Sequence, residues 1–201
     1  VLLVAATGSG KTVVSSEIMR SAVSRGSNIL FLAHRIELIA QTCDKLSSFG
    51  LQHKIYAPDK DIRNIRAKQM LSHRKVWVDP FAKIAVGTVQ TVSRRLDKIT
   101  KPDLIIIDET HLAIANTYQK VVREFPQAVV IGLTASPIRL DGRGLGELYQ
   151  SMAVLASPQE IQEMGFLVPM RYFSAAETVD LSKIKTTMGD YDKKQLSEEM
   201  E

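Results

Sequence analysis

Residues Val1–Thr12 read Val-Leu-Leu-Val-Ala-Ala-Thr-Gly-Ser-Gly-Lys-Thr, a short apolar run that passes into a glycine-rich turn. The apolar run Val1–Ala5 is typical of a buried strand. After the turn, apolar residues recur at spacing four through Lys11–Arg25, which indicates one buried face of a helix that Gly26 ends. The stretch therefore predicts a strand, a tight turn and a helix in direct succession.

The turn itself, Ala5–Thr12, has the composition of a loop that binds phosphate. Glycines let backbone N–H groups point inward around an anion, and the positive end of the following helix points at the same place. Lys11 is placed to reach the outer phosphates of a nucleotide, and the Thr12 hydroxyl to bind Mg²⁺. Ala5 stands where the general pattern has its first glycine, so a strand–helix turn without nucleotide is the alternative. The residues predicted to hold the nucleotide are Thr7, Gly8, Ser9, Gly10, Lys11 and Thr12.

Strands and helices alternate beyond this loop. Because strands separated by helices form right-handed parallel crossovers, the pattern predicts an α/β fold with a doubly wound, mostly parallel sheet and helices on both faces. We expect this domain to cover residues 1–155 and a connecting segment to cover 156–201, with a helix starting at Ser157. The further predicted strands are Ile29–Ala33, Ile84–Gly87, Leu104–Ile107 and Val129–Leu133, and the further helices in the domain are Glu37–Phe49, Pro58–Lys75 and Thr88–Leu96.

Two adjacent acids, Asp108 and Glu109, follow the apolar strand Leu104–Ile107 directly. A parallel strand carries the residues at its carboxyl end to the same sheet edge as the phosphate loop, where α/β folds bind ligands. There Asp108 can hold Mg²⁺, and Glu109 can activate the water that attacks a phosphate, with Lys11 stabilising the charge. An Asp-Glu pair that only caps the next helix is the alternative for this pair taken alone.

Composition sets only broad limits on function. The 201 residues carry a formal net charge of +4, which permits a polyanionic partner without establishing one. Basic residues gather between Arg63 and Lys75 and again at Arg94 and Arg95, and a solvated helix face explains either cluster equally well. The single cysteine, Cys43, lies on the apolar face of a predicted helix and excludes an internal disulfide framework. No apolar run approaches the ~20 residues that span a bilayer, so no membrane partner is expected.

Taken in order, the motifs resemble those of superfamily 2 helicases of the DExH type. Ala5–Thr12 resembles motif I, in which alanine commonly replaces the first loop glycine, and Asp108–His111 resembles motif II. Thr134–Ser136 resembles motif III, the element that links hydrolysis to nucleic-acid binding. Ala33–Arg35 is similar to motif Ia, and Gly87–Thr91 is similar to the next motif that contacts nucleic acid.

The continuation Gly132–Leu145 is similar to phage and bacterial helicases of the restriction-enzyme helicase-subunit group. The resemblance implies a RecA-like ATP-binding domain, ATP and Mg²⁺ as cofactors, DNA rather than RNA as the polymer, and the cytoplasm of a bacterial or phage-infected cell. Residues that it implies for coupling the nucleotide site to nucleic acid are His111, Thr134 and Ser136. Residues that it implies for contacts to the nucleic-acid backbone are Arg35, Thr88, Gln90 and Thr91.

Several alternatives stay open at this point. A buried structural histidine is the alternative for His111, and a surface salt bridge is the alternative for Arg35. For the whole chain, the alternatives are a nucleotide-dependent nucleic-acid-binding module without chemistry, an RNA rather than a DNA helicase, and a small-molecule kinase. The resemblance also implies a second RecA-like domain of the same parent chain, whose Gln-x-x-Gly-Arg-x-x-Arg motif is absent from this sequence. We therefore expect the chain alone to bind ATP weakly and to hydrolyse it slowly.

Overall fold

A sheet of seven parallel strands runs through the centre of the molecule, in the order β3-β4-β2-β5-β6-β1-β7. The computed structural model describes residues 1–110, 116–137, 145–146, 148–168, 186–187 and 190–191. The strands are β1 (Leu2–Ala5), β2 (Ile29–Ala33), β3 (His53–Tyr56), β4 (Ile84–Thr88), β5 (Leu104–Ile107), β6 (Val129–Thr134) and β7 (Met152–Ala156). The predicted α/β class with a parallel sheet is confirmed.

Helices cover both faces of this sheet. Those on one face are α1 (Lys11–Ser24), α2 (Ile36–Ser48) and α3 (Asp59–His73), and those on the other are α4 (Val89–Ser93) and α5 (Asn116–Glu124). A sixth helix, α6 (Pro158–Glu163), follows β7. Among the described residues, none of the helices is long and apolar enough to cross a membrane.

Each face of the sheet has its own apolar core, because successive side chains of a strand point to opposite faces. Phe31 of β2 packs with α1, α2 and α3 on one face, and its neighbour Leu30 packs with α4 and α5 on the other. The predicted core position of Cys43 is confirmed, and burial raises the pKa of its thiol. This two-sided burial explains why the central strands are unbroken apolar runs.

Two strands and one helix of the structure were not predicted from the sequence. The strand β3 alternates buried and half-buried residues at the sheet edge, and the first of them is the polar His53. The strand β7 is an edge strand with mostly exposed side chains, and α5 buries only Tyr118 and Val121. The predicted helix Thr88–Leu96 was too long, since α4 ends at Ser93 and Leu96–Lys98 form a separate 3-10 turn. Elements with little buried apolar surface leave a weak periodic pattern in the sequence.

The chain divides into two compact units, Val1–Leu167 and Val168–Glu201. Helix α6 belongs to the first unit and begins with the predicted cap: the Ser157 hydroxyl accepts from the Glu160 N–H, and the Glu160 carboxylate accepts from the Ser157 N–H. In the second unit, the strands β8 (Thr186–Thr187) and β9 (Asp190–Tyr191) form an antiparallel pair. The boundary expected at residue 155 stays a prediction.

A buried polar network holds the segment between α3 and β4 against the edge strand β3. The Trp77 N–H donates to Oε1 of Gln69 at 3.0 Å, and Nε2 of the same amide lies 3.0 Å from Nε2 of His53. Both side chains are fully enclosed, and burial lowers the pKa of His53. The network satisfies a backbone donor that would otherwise lie unpaired in this segment.

We expect Gln69→Leu to lower the free energy of unfolding by about 1–3 kcal/mol, because it removes the partner of the Trp77 N–H and of Nε2 of His53, while Nδ1 of His53 keeps its bond to the Leu51 carbonyl. Urea unfolding at pH 7.5 measures the change. The matched control is Gln41→Leu at an exposed site of α2, for which little change is expected. Equal stabilities of the two variants would contradict a stabilising role for the network.

Candidate nucleotide site and nucleic-acid edge

The turn between β1 and α1 has the backbone shape that a phosphate loop requires. Gly8 and Gly10 adopt φ of 83° and 84°, a left-handed conformation that strongly favours glycine. A Cβ at Gly8 would also lie 2.7 Å from Cδ2 of Leu167. Gly10 is the N-cap of α1 and offers no side-chain cap, so the first N–H groups of the helix remain for a ligand.

Two side chains of this loop fit a bound nucleotide. The Lys11 ammonium donates to the carbonyl oxygens of Ala5 at 3.0 Å and Ala6 at 3.2 Å, so it is folded onto its own loop. The Ser9 hydroxyl is buried and has no hydrogen-bond partner. Because buried hydroxyls are rarely left without partners, an oxygen-rich anion at this position would complete the loop.

The acid pair lies directly beyond β5. The Asp108 N–H donates to the Leu32 carbonyl at 2.9 Å and so continues the ladder with β2. Glu109 then turns sharply, with a φ of 48°, and its N–H donates to Oδ1 of Asp108 at 3.0 Å. A non-glycine residue in this conformation is uncommon and is often found at functional sites.

Strand register brings the predicted nucleotide residues to one edge of the sheet. Val4 of β1 pairs with Thr134 of β6, and Ile107 of β5 pairs with Gly132 of β6. The phosphate loop and the acid pair therefore stand on either side of β6, about 10 Å apart by strand spacing. That gap suits a phosphate chain held from both sides.

Thr134 and Ser136 form a tight turn between these two groups. Thr134 is fully buried, and its hydroxyl donates to the Ser136 carbonyl at 2.7 Å and accepts from the Ser136 N–H at 3.1 Å. Ser136 itself is exposed. The turn therefore has a fixed inner residue and an accessible outer one.

Behind the acid pair, Tyr149 contacts residues near the ends of β5 and β6. The hydroxyls of Tyr149 and Thr110 share a short hydrogen bond, and the Tyr149 ring covers Gly132 of β6. Burial raises the pKa of Tyr149, while burial and then the Asp108 carboxylate raise the pKa of Tyr118 nearby. Both phenols are therefore neutral groups behind the acids, and neither was predicted, since these contacts depend on packing between distant residues.

The residues predicted to touch nucleic acid lie farther along the same edge. Thr88 pairs with Ala33 in adjacent strands, so Arg35 and Thr88 lie at the ends of neighbouring strands, where they begin helices on opposite faces of the sheet. Arg35 and Gln90 are exposed. The Thr88 hydroxyl caps α4 and donates to the hydroxyl of Thr91 at 2.9 Å. Contacts of these four residues with nucleic acid stay a prediction, and His111 lies outside the described residues.

An apolar groove that the sequence did not predict adjoins the phosphate loop. It has a volume of about 460 Å³ and is bounded by the loop, α1, the end of β7 and α6. Phe166 and Met164 are largely exposed beside it. The signal was present in the apolar residues after Glu163, but nothing in their spacing indicated that they fold back to the loop.

Within the described residues, no group of three or more histidine, cysteine, aspartate or glutamate side chains could hold a metal ion. That Thr12 and Asp108 hold Mg²⁺ stays a prediction. Such a two-ligand arrangement is usual for Mg²⁺, which keeps several waters and takes its remaining ligands from substrate phosphates.

Comparison with known proteins identifies the family of this chain. Residues 1–139 match the family described as "Type III restriction enzyme, res subunit". The chain belongs to this family. The 51.5 kDa protein of a Lactococcus phage is 32% identical over 184 residues, covering 92% of this chain and 34% of that protein. The type I restriction enzyme EcoAI endonuclease subunit of Escherichia coli is 30% identical over 206 residues, covering 96% and 23%.

Some proteins similar to this chain are helicases. The putative ATP-dependent helicase IRC3 of Saccharomyces cerevisiae is 28% identical and covers 92% of this chain and 27% of that protein. The UvsW helicase of bacteriophage T4 matches the structure with a TM-score of 0.57 at 17% identity, covering 76% and 53%. The Hef helicase domain of Pyrococcus furiosus matches with 0.57 at 25% identity, covering 76% and 34%. The fold is therefore the RecA-like fold of superfamily 2 helicases, and the chain spans about a quarter to a third of its curated relatives.

We expect Gly132→Ala to lower the free energy of unfolding by about 1–3 kcal/mol, because the new Cβ would overlap the Tyr149 ring and lie 2.9 Å from Cγ2 of Thr110. Thermal and urea unfolding measure the loss. In a Tyr149→Ala background the same substitution should cost much less. Gly146→Ala is the control, since no atom lies within 4 Å of a Cβ at that position; equal losses at the two glycines would exclude steric overlap as the cause.

Proposed function

We propose that this chain is the ATP-binding motor domain of a nucleic-acid-dependent ATPase, which hydrolyses ATP to ADP and phosphate in order to move on or unwind DNA. The observation that carries the proposal is the placement of the Lys11 loop and the Asp108–Glu109 pair on the same sheet edge, with only β6 between them. A phosphate loop alone would support nucleotide binding. The acid pair facing it supports hydrolysis.

The loop residues bind and orient the phosphates. On binding, the Lys11 ammonium exchanges the Ala5 and Ala6 carbonyls for phosphate oxygens, and the Ser9 hydroxyl gains the partner that it lacks. The free N–H groups at the start of α1 add donors at the positive end of the helix. These donors hold the reacting phosphate in a fixed position relative to the acid pair.

The acid pair divides two tasks. Thr12 and Asp108 would hold Mg²⁺, which neutralises charge on the phosphates when it is bound. Glu109 orients a water molecule toward the terminal phosphate and accepts its proton. The turned backbone at Glu109 separates this carboxylate from its neighbour, so one acid serves the ion and the other serves the water.

Support for DNA as the polymer comes from the family and from position. Two relatives are restriction-enzyme subunits or phage proteins, and solved structures with the same fold are helicases. Arg35, Gln90 and Thr91 lie on the sheet edge that carries the nucleotide residues. By strand spacing, Arg35 lies about 14 Å from the phosphate loop, three strands away, and Gln90 and Thr91 lie about 19 Å from it, four strands away. Coupling between the two ends would pass through Thr134, Ser136 and His111.

A second RecA-like domain is proposed as the partner that completes the site. The chain covers 34% or less of the curated relatives that it matches, so those proteins have room for another domain of similar size. An arginine finger supplied by such a domain raises hydrolysis by about 10³–10⁵. The chain alone should accordingly bind ATP while turning it over slowly.

We expect Lys11→Ala to weaken binding of a fluorescent ATP analogue with Mg²⁺ by at least about tenfold, since a charge-assisted bond to phosphate contributes roughly 1.5–3 kcal/mol. Fluorescence titration of the 201-residue chain measures this. Lys101→Ala, an exposed lysine on the opposite edge of the sheet, serves as the control. Equal affinities for wild type and Lys11→Ala would contradict the proposal that the loop binds the phosphates of ATP.

We expect Glu109→Gln to leave binding of the ATP analogue nearly unchanged and to reduce hydrolysis by about 10²–10⁴, because the carboxylate acts as a base and not as a ligand of the nucleotide. Phosphate release from the longer parent chain, with single-stranded DNA present, measures the effect. The control is Glu124→Gln at an exposed position of α5. Hydrolysis near the wild-type rate would contradict the proposed role of Glu109.

A further inference from the structure

Helix α3 carries a basic outer surface that the nucleotide chemistry does not use. Only Ile65 and Gln69 of this helix are buried, and the side chains of Lys60, Arg63 and Arg66 are exposed. These three follow one another at three-residue spacing, so neighbouring members lie side by side. We name them the α3 basic stripe.

We infer that the α3 basic stripe is a further contact surface for the phosphate backbone of nucleic acid. This inference rests on the proposed function and extends it to a helix that the recognised motifs do not include. The partner is a polyanion with regularly spaced charges, read through its backbone and not through its bases.

The charge of the stripe is not balanced within the protein. Among the described residues, the ion pairs are Arg20 with Glu17 and His73 with Asp44, and neither involves the stripe. From Ile62 to the end of α3 at His73, the sequence has three Lys or Arg residues, Arg63, Arg66 and Lys68, and no acidic one. A solvated helix face ordinarily mixes both signs, so an uncompensated row of this length favours an external anion.

The two acids of α3 have a local explanation. Asp59 and Asp61 lie in the first turn, where negative side chains stabilise the positive end of a helix. They do not continue along the helix, and none of them forms an ion pair with the stripe in the described part of the chain. The electrostatic potential at the stripe beyond the first turn of α3 is therefore set by Arg63 and Arg66.

Strand order places the start of α3 beside the expected nucleic-acid contacts. Tyr56, at the end of β3, pairs with Gly87, and α3 begins three residues later. Helix α3 also packs against α2, which begins next to Arg35. The stripe thus continues the edge from Arg35 and Thr88 outward, on the side away from the phosphate loop.

The dimensions suit a short length of backbone. Lys60 to Arg66 spans six residues, or about 9 Å along the helix axis. Phosphates of one strand follow each other at about 3.4 Å along a duplex, so the stripe can face two or three in succession. An acidic protein partner would need matching carboxylates at this spacing, which a nucleic-acid backbone supplies regardless of sequence.

The test is a Lys60→Gln/Arg63→Gln/Arg66→Gln variant of the full 201-residue chain, since glutamine removes charge and keeps helix propensity. Fluorescence anisotropy with a labelled single-stranded oligonucleotide is measured across a KCl series. We expect about tenfold weaker binding at 100 mM KCl. The slope of log K against log salt should become shallower by about 2, or roughly 0.7 per lost contact.

An equal change in net charge elsewhere provides the matched control. Arg25→Gln/Lys101→Gln/Arg123→Gln removes three exposed charges near the opposite edge of the sheet and should change affinity by no more than about twofold. Unchanged circular dichroism and unchanged binding of the ATP analogue establish that both variants are folded.

Three results would overturn the inference. Wild-type affinity in the α3 variant would exclude the stripe as a contact surface. Equal losses of affinity in both variants would show that the effect comes from net charge alone. No salt-sensitive binding of the oligonucleotide by the wild-type chain would remove the proposed nucleic-acid function itself, and the stripe with it. Loss confined to the α3 variant, with a shallower salt slope, supports the inference.

Discussion

The site depends on the parallel pairing of three strands, β1 with β6 and β6 with β5. Parallel pairing sends the carboxyl ends of all three to one edge, so residues about a hundred positions apart in the chain come to face each other. A slip of one residue in β6 would turn every side chain of that strand to the opposite face.

The parts of the fold that could be predicted from the sequence are the apolar strands that can lie only in the core. Ile29–Ala33 and Leu104–Ile107 have the same bounds in the sequence prediction and in the structure, since a run of apolar residues must lie in the core. The strand Met152–Ala156 is also apolar but lies at the sheet edge, and its pairing with β1 depends on a contact about 150 residues away. Sequence pattern carries no information on such a contact.

The candidate site also has parts that could be predicted from the sequence and parts that could not. The Lys11 loop and the Asp108–Glu109 pair follow from local composition together with strand order, and the structure brings both to the expected edge. The Tyr149–Thr110 contact and the packing of Leu167 over Gly8 do not follow from any local pattern, because each joins residues whose separation is fixed only by tertiary packing. Residues that support a site are harder to predict than residues that perform its chemistry, since support can come from any part of the chain.

The folded-back position of Lys11 has a consequence for how the loop responds to its ligand. With the ammonium bonded to Ala5 and Ala6, the positive charge of Lys11 is held against two carbonyl oxygens of its own loop. Binding is then an exchange of two carbonyl acceptors for anionic ones, with little ordering of the backbone and a small entropy cost. In the proposed function, freeing the Lys11 ammonium for a phosphate requires only rotations within one side chain, which are motions of picoseconds to nanoseconds.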